Sequence, residues 1–266
     1  MNIVIKTCLL IFFSLFLLSA QAADSTQRSF QQIIDSGELR IGVSYFHPWV
    51  MKDKNGKPFG AEIDMGNRVA KDMNIKADFR VFEWEALIPA LLQGEIDVIM
   101  SGMAITPARA LKVNFSTSYG ATGVSIAANK AMTKNFKTLD DMKKANVTLA
   151  LVTGTVSAEV AKRTFPKAQY LMFETEAQAD KALLKGQAHA FVTSNPTPKF
   201  LALRYPNEID VPLAQPLMSF REGFAVRKGN MELLHFLNAW VVSREADAWI
   251  PSTRYYWFET LRWQGQ

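Results

Sequence analysis

Asp97-Val-Ile-Met-Ser-Gly-Met-Ala-Ile-Thr-Pro-Ala-Arg109 is the stretch whose reading decides the fold. Asp97 to Met100 is a short apolar run with β-branched residues, long enough for a buried strand. Ser101-Gly102 breaks the run. Thr106-Pro107 then predicts a helix start, with Thr106 as N-cap and Pro107 at the first helical position. Arg109 therefore falls in the first helical turn, where a cation opposes the positive end of the helix dipole. Two readings of it stay open. A surface arginine could sit there, solvated, at small cost. Alternatively, helix amides and the guanidinium converge on one anion, because both donate to carboxylate oxygens.

Working outward, the same alternation recurs on both sides. Phe30 to Ile34 predicts a short helix stopped by Ser36-Gly37, and Leu39 to Val43 a strand followed by a loop from Ser44 to Trp49. Ile63, Gly66, Ala70 and Met73 share one helical face, and Ala77 to Phe82 reads as the next strand. Trp84, Leu87, Ile88, Leu91 and Leu92 form an apolar helical stripe closed by Gly94. Strand, helix, strand, helix, strand is a parallel α/β pattern, in which ligands bind beyond the C-terminal strand ends. Phe46, Trp84 and the segment Ser101 to Arg109 lie at those ends.

Gly123 to Ala128 reads as a strand leaving this unit, and a second α/β set follows. Thr138-Leu-Asp-Asp141 resembles a capping box. Strands are predicted at Val147 to Val152, Tyr170 to Phe173 and Ala188 to Thr193, with helices at Val156 to Thr164, Glu176 to Lys185 and from Pro196 or Thr197. Leu213 to Phe220 reads as a return crossover. The aromatic end, with Trp249, Tyr255, Tyr256, Trp257, Phe258 and Trp263, predicts a terminal helix packed on the first unit, with an exposed docking patch as the other reading.

The motifs together resemble the periplasmic polar-amino-acid-binding proteins, the extracytoplasmic receptors of ABC importers. They are Gly-Glu-Leu-Arg-Ile-Gly-Val (37–43), Gly-Ala-Glu-Ile-Asp-Met (60–65), Ala-Leu-Ile-Pro-Ala-Leu (86–91), Ile-Thr-Pro-Ala-Arg (105–109) and Val-Asn-Phe-Ser-Thr-Ser-Tyr (113–119). The resemblance implies an α/β fold of the two-lobed, type II periplasmic-binding-protein kind: two Rossmann-like lobes joined by a two-strand hinge. The implied division is a signal peptide at 1–22, one lobe from 23–123 plus 221–266, and a second from 124–220. Ligand would bind in the cleft and be delivered to an inner-membrane ABC permease by a monomer that uses no cofactor.

The resemblance also implies roles. Arg109 would grip the ligand's carboxylate, with Ser101 and the backbone at Gly102 and Ala104 donating around it. Phe46 and Trp84 match positions that place apolar groups against the ligand, although core packing is the simpler reading of an aromatic. Gly154-Thr155 resembles a turn whose amides and hydroxyl face the cleft. Val156 stands where a second hydroxyl residue is common. Ser194 stands where the family usually carries an aspartate that pairs with an α-ammonium, so that charge is missing here. Glu62, Asp64, Glu83 and Glu222 are possible substitutes, although Glu62 and Asp64 have a simpler reading as helix-start acids. A periplasmic lyase of the cyclohexadienyl dehydratase type is the alternative on the same fold, and a detached sensor module a further one. For the lyase an acid is expected near Asn195–Thr197, and none is there.

Bulk properties agree. The chain has 266 residues, 48% of them hydrophobic and 21% charged, with a formal charge of +5 scattered rather than clustered, so nucleic-acid binding is unsupported. Lys6, the apolar run Thr7 to Leu18 and Ala20-Gln21-Ala22 read as a cleavable export signal directing the protein to the periplasm. Cys8 is the single cysteine and falls within that signal, so the mature chain would have no disulfide or Cys-ligated metal. His47, His189 and His235 show no metal-ligand spacing, and His47 borders the cleft.

Overall fold

The computed structural model describes residues 28–144, 146–260 and 263. The export-signal reading of 1–22, with Cys8, lies outside them.

The chain forms two α/β lobes. In the first sheet the strands run in the order Lys76–Val81, Glu38–Val43, Val98–Ile99, Ala225–Arg227, Val113–Phe115. Glu38–Val43 is parallel to both its neighbours, as the alternating strand and helix pattern requires. Ala225–Arg227 enters from the far end of the chain and is antiparallel. The second sheet has six strands built around Gly120–Asn129, Ala190–Ser194, Thr148–Val152 and Gln169–Phe173, the last three mutually parallel. Gly120–Asn129 pairs antiparallel with Met218–Glu222, from Gly120 against Glu222 to Val124 against Met218. These two strands carry the chain out of the first sheet and back, and form the two-strand hinge.

Local sequence explains the ends of the elements. Thr155 caps the helix Val156–Thr164 by accepting from the Ala158 amide at 3.1 Å. The Thr138–Asp141 box closes in both directions, with Asp141 N donating to Thr138 Oγ1 and Thr138 N to Asp141 Oδ2. At the first sheet's N-terminal edge, Asp97 accepts from the backbone and guanidinium of Arg40 and from Arg28. Burial alone would raise its carboxyl; those hydrogen bonds outweigh it and hold the group below its ordinary range.

The C-terminal helix Trp249–Phe258 packs on the first lobe. Trp257 and Phe258 are buried, and Trp257 Nε1 donates to Asp64 Oδ2 at 2.7 Å. Truncating a buried tryptophan of this kind costs about 3–5 kcal/mol. Tyr255 alone of the end aromatics is largely exposed, at 65%. Packing rather than docking therefore accounts for most of this aromatic segment.

Two expectations need correction. Val98–Ile99 is a two-residue strand, shorter than the apolar run from Asp97 to Met100. Asp97 is taken by Arg28 and Arg40, while Met100 N bonds to Gly42 O outside regular pairing. Glu62 does stand in the first turn of its helix, but that position does not account for it. It is fully buried, and its Oε1 accepts from Gly102 N at 2.9 Å and Tyr119 Oη at 2.6 Å.

Candidate ligand-binding site

A narrow cavity of about 30 Å³ lies between the lobes at the C-terminal strand ends. Phe46, Trp84, Ser101, Gly102, Ala104 and Arg109 line it from the first lobe. Thr155 and Ser194 line it from the second. All eight residues singled out in the sequence thus meet in one space. Val156, already noted beside the Gly154-Thr155 turn, also lines it, and Trp49, Ser157 and Phe220 complete the lining without having been anticipated. Trp49 follows Phe46 in the same loop, the one local signal that could have found it. Ser157 and Phe220 carry no such signal.

Arg109 is held as the capping pattern requires. Thr106 accepts from the Arg109 amide at 3.3 Å, at the start of the single-turn helix Pro107–Ala110. The guanidinium donates to Ala104 O at 3.0 Å and to Gly154 O at 3.1 Å, and lies 5.4 Å over the Trp84 ring. No carboxylate of the described residues forms an ion pair with it. Burial lowers its proton affinity, offset in part by the charge of Glu159.

Several groups expected to face a ligand are instead committed within the protein. The Gly102 amide goes to Glu62, and Ser101 Oγ accepts from Ser44 N at 2.9 Å. Thr155 Oγ1 accepts from the Ala158 amide and donates to Val152 O. Ser194 Oγ and Ser157 Oγ lie 3.3 Å apart. The Arg109 amide is occupied by Thr106, so amide and guanidinium do not converge on one free point as the dipole argument suggested. These hydroxyls and amides shape the wall, leaving Arg109 as its one charged lining residue.

Beneath the wall lies a buried acid pair. Glu222 accepts from Trp49 Nε1 at 2.9 Å and Arg254 Nη1 at 2.8 Å, fixing the indole in the cavity floor. Burial raises the Glu222 carboxyl, opposed by Arg254 and Trp49. Burial, with Glu222's charge, also raises Glu62 to about 7, against the hydrogen bonds from Tyr119 and Gly102. Gly102 has a positive φ of 61°, and a Cβ there would collide with the Trp49 indole. Gly154, with φ 71°, makes the matching turn in the second lobe.

The lobes also touch directly, both beside the cavity and away from it. Trp84 Nε1 donates to Gly154 O at 3.0 Å. Glu176 Oε2 accepts from His47 N at 2.9 Å and lies 3.2 Å from His47 Nδ1, while Thr197 Oγ1 donates to His47 O. His47 thus contacts the facing lobe rather than the cavity. His189 Nδ1 accepts from Thr148 N at 3.0 Å, a structural role. Among the described residues there is no cluster of three or more metal-ligating side chains, and no helix long and apolar enough to cross a membrane.

The lobed α/β architecture and the interlobe cavity define a solute-binding protein. Residues 39–260 match the bacterial extracellular solute-binding proteins, family 3, and the chain belongs to that family. The glutamine-binding protein GlnH of a Bacillus subtilis ABC transporter is 31% identical over 73% of this chain and 70% of its own. A binding component of an ABC transporter from Wolinella succinogenes, solved with lysine, superposes with a TM-score of 0.81 at 31% identity, over 86% of this chain and 99% of that one. A cyclohexadienyl dehydratase of Pseudomonas aeruginosa is 22% identical over 94% of this chain and 92% of its own.

Proposed function

We propose that this chain is the periplasmic substrate-binding component of an ABC importer, taking a small amino acid or related carboxylate into the interlobe cavity and delivering it to an inner-membrane permease. The observation that carries this reading is Arg109: a largely desolvated guanidinium in the cavity wall, with donors to spare and no carboxylate partner of its own among the described residues. An anionic ligand supplies the missing charge.

The first lobe, 23–123 plus 221–266 in this proposal, would capture the carboxylate at Arg109, between Phe46 and Trp84. The second, 124–220, would close over it through the Gly154-Thr155 turn and Ser194. Hinge closure about the paired strands Gly120–Asn129 and Met218–Glu222 supplies the motion, with ligand shifting the balance toward the closed form. The relatives' names for glutamine and lysine support an amino-acid-like ligand class.

The dehydratase relative favours one second reading, a lyase on the same fold. Against it stands the cavity wall, which presents no carboxyl or imidazole for proton transfer. The test is to identify, by mass spectrometry, whatever co-purifies with the protein from periplasm, and to follow prephenate and arogenate with the protein by NMR. Ligand returned unchanged supports the receptor. Turnover abolished by one substitution in the cavity establishes the lyase.

A further inference from the structure

We infer that the carboxylate recognised at Arg109 carries no ammonium group on its neighbouring carbon. The inference rests on the receptor reading and narrows its ligand class. An α-ammonium is tied by two bonds to the carboxylate carbon, so it must find its partner in the same cavity wall. That wall holds one cation and no carboxylate. The other polar groups of the wall are neutral and already partly engaged. The carbonyls of Ala104 and Gly154 accept from Arg109, Trp84's face is covered by the guanidinium, and the Ser157 and Ser194 hydroxyls face each other.

The buried acids beneath do not line the cavity. Glu222 is bound by Trp49 and Arg254, and Glu62 Oε1 by Gly102 and Tyr119. Glu62 Oε2 has no hydrogen-bond partner, which makes Glu62 the one competing candidate for an ammonium. Outside the wall, Glu85 packs against Gly154 and Glu159 acts on Arg109 through its charge, while Glu83, Glu174 and Glu176 line the adjoining chamber, which shares Phe46 and Trp84 as a boundary. A cation several bonds from the carboxylate can reach them; one on the adjacent carbon cannot. An ammonium desolvated without a counter-charge is strongly disfavoured, so the site selects against ordinary α-amino acids.

Calorimetry on the ligand-free protein with matched pairs tests this: L-phenylalanine against 3-phenylpropanoate and phenylpyruvate, L-leucine against 4-methyl-2-oxopentanoate, and L-lysine against 6-aminohexanoate. The expected result is that, in the tightest-binding pair, the ammonium-free member binds at least tenfold more tightly. The pair in which this occurs separates a plain anion from an acid with a distant cation. Ser194→Asp should swing the ratio toward the α-amino acid by at least tenfold. An α-amino acid preferred by the unmodified protein overturns the inference while leaving the receptor intact, and its loss in Glu62→Gln would name Glu62 as the counter-charge. An unmoved ratio in folded Ser194→Asp also overturns it. Binding of no member of any pair overturns the receptor reading as well.

Discussion

Arg109 Nη2 lies 3.1 Å from the carbonyl oxygen of Gly154, so the side chain that opens a helix in one lobe is hydrogen-bonded to the turn that opens a helix in the other. The same carbonyl accepts from Trp84. In the proposed mechanism, capture and closure therefore share one side chain.

A lysine at 109 would keep the charge but lose the planar fork that spans Ala104, Gly154 and a ligand. Arg109→Lys should weaken binding of the co-purified ligand at least tenfold, about 1.4 kcal/mol, and Arg109→Ala further. Calorimetry measures both. Unchanged affinity in a folded variant removes Arg109 from the site.

Closure should be favoured by acid. Burial by itself would lower His47, but the hydrogen bond to Glu176 and the charges of Glu176 and Asp180 outweigh it and Arg204, so the group is raised above 6.5. A raised histidine stabilises the closed form fully below its ordinary value and loses that contribution as pH rises through the raised one. Because the His47 side chain is 44% exposed, solvent screens the pair, and the effect should stay within about 1 kcal/mol. Ligand affinity should fall up to about fivefold between pH 5.5 and 8, and His47→Gln should flatten that slope. Asp180 is raised to about 8, first by burial and then by Glu176 on its own helix, while His47 lowers it, so Asp180→Asn is run beside it as a control. An identical slope in His47→Gln and wild type would remove the histidine from closure.

Glu62 makes a separate pH signature in stability. Raised to about 7 from 4.5, it binds its proton more tightly in the folded state, so stability declines as pH rises between those values. Glu62→Gln keeps an acceptor for the Gly102 amide and removes the buried charge. Its melting temperature should match wild type near pH 5 and exceed it by several degrees at pH 8, where the charge costs roughly 3 kcal/mol. Scanning calorimetry at both values decides. A variant less stable than wild type at pH 8 would mean that the ionised carboxylate is needed.

Gly102→Ala adds a methyl at a positive φ and drives it into Trp49, the indole that Glu222 fixes in the cavity floor. Urea unfolding should show a loss of about 1–3 kcal/mol, and ligand affinity should fall with it. Wild-type stability and affinity together would show that the turn relaxes freely.

Much of this was legible because it is local. Thr106-Pro107 announced the helix that carries Arg109, Gly154-Thr155 announced its counterpart, and the alternation of strands and helices put both at strand ends. What was not legible is tertiary. Glu62 reads as a helix-start acid until Gly102 and Tyr119, the latter 57 residues away, are seen to close on it. His47 and Glu176 are 129 residues apart, and Ser157 and Phe220 reach the cavity without any periodic or capping signal. Sequence also overstated the free donors. Ser101, Thr155 and the Gly102 amide are of the expected types but are used up by Ser44, Ala158 and Glu62.

The most direct measurement is a crystal structure of the protein with its co-purified ligand. The ligand's carboxylate should lie within hydrogen-bonding distance of the Arg109 guanidinium, between Phe46 and Trp84, with the second lobe closed over it at Gly154 and Ser194. A ligand seated elsewhere, or in the cavity with its carboxylate turned away from Arg109, would contradict the account.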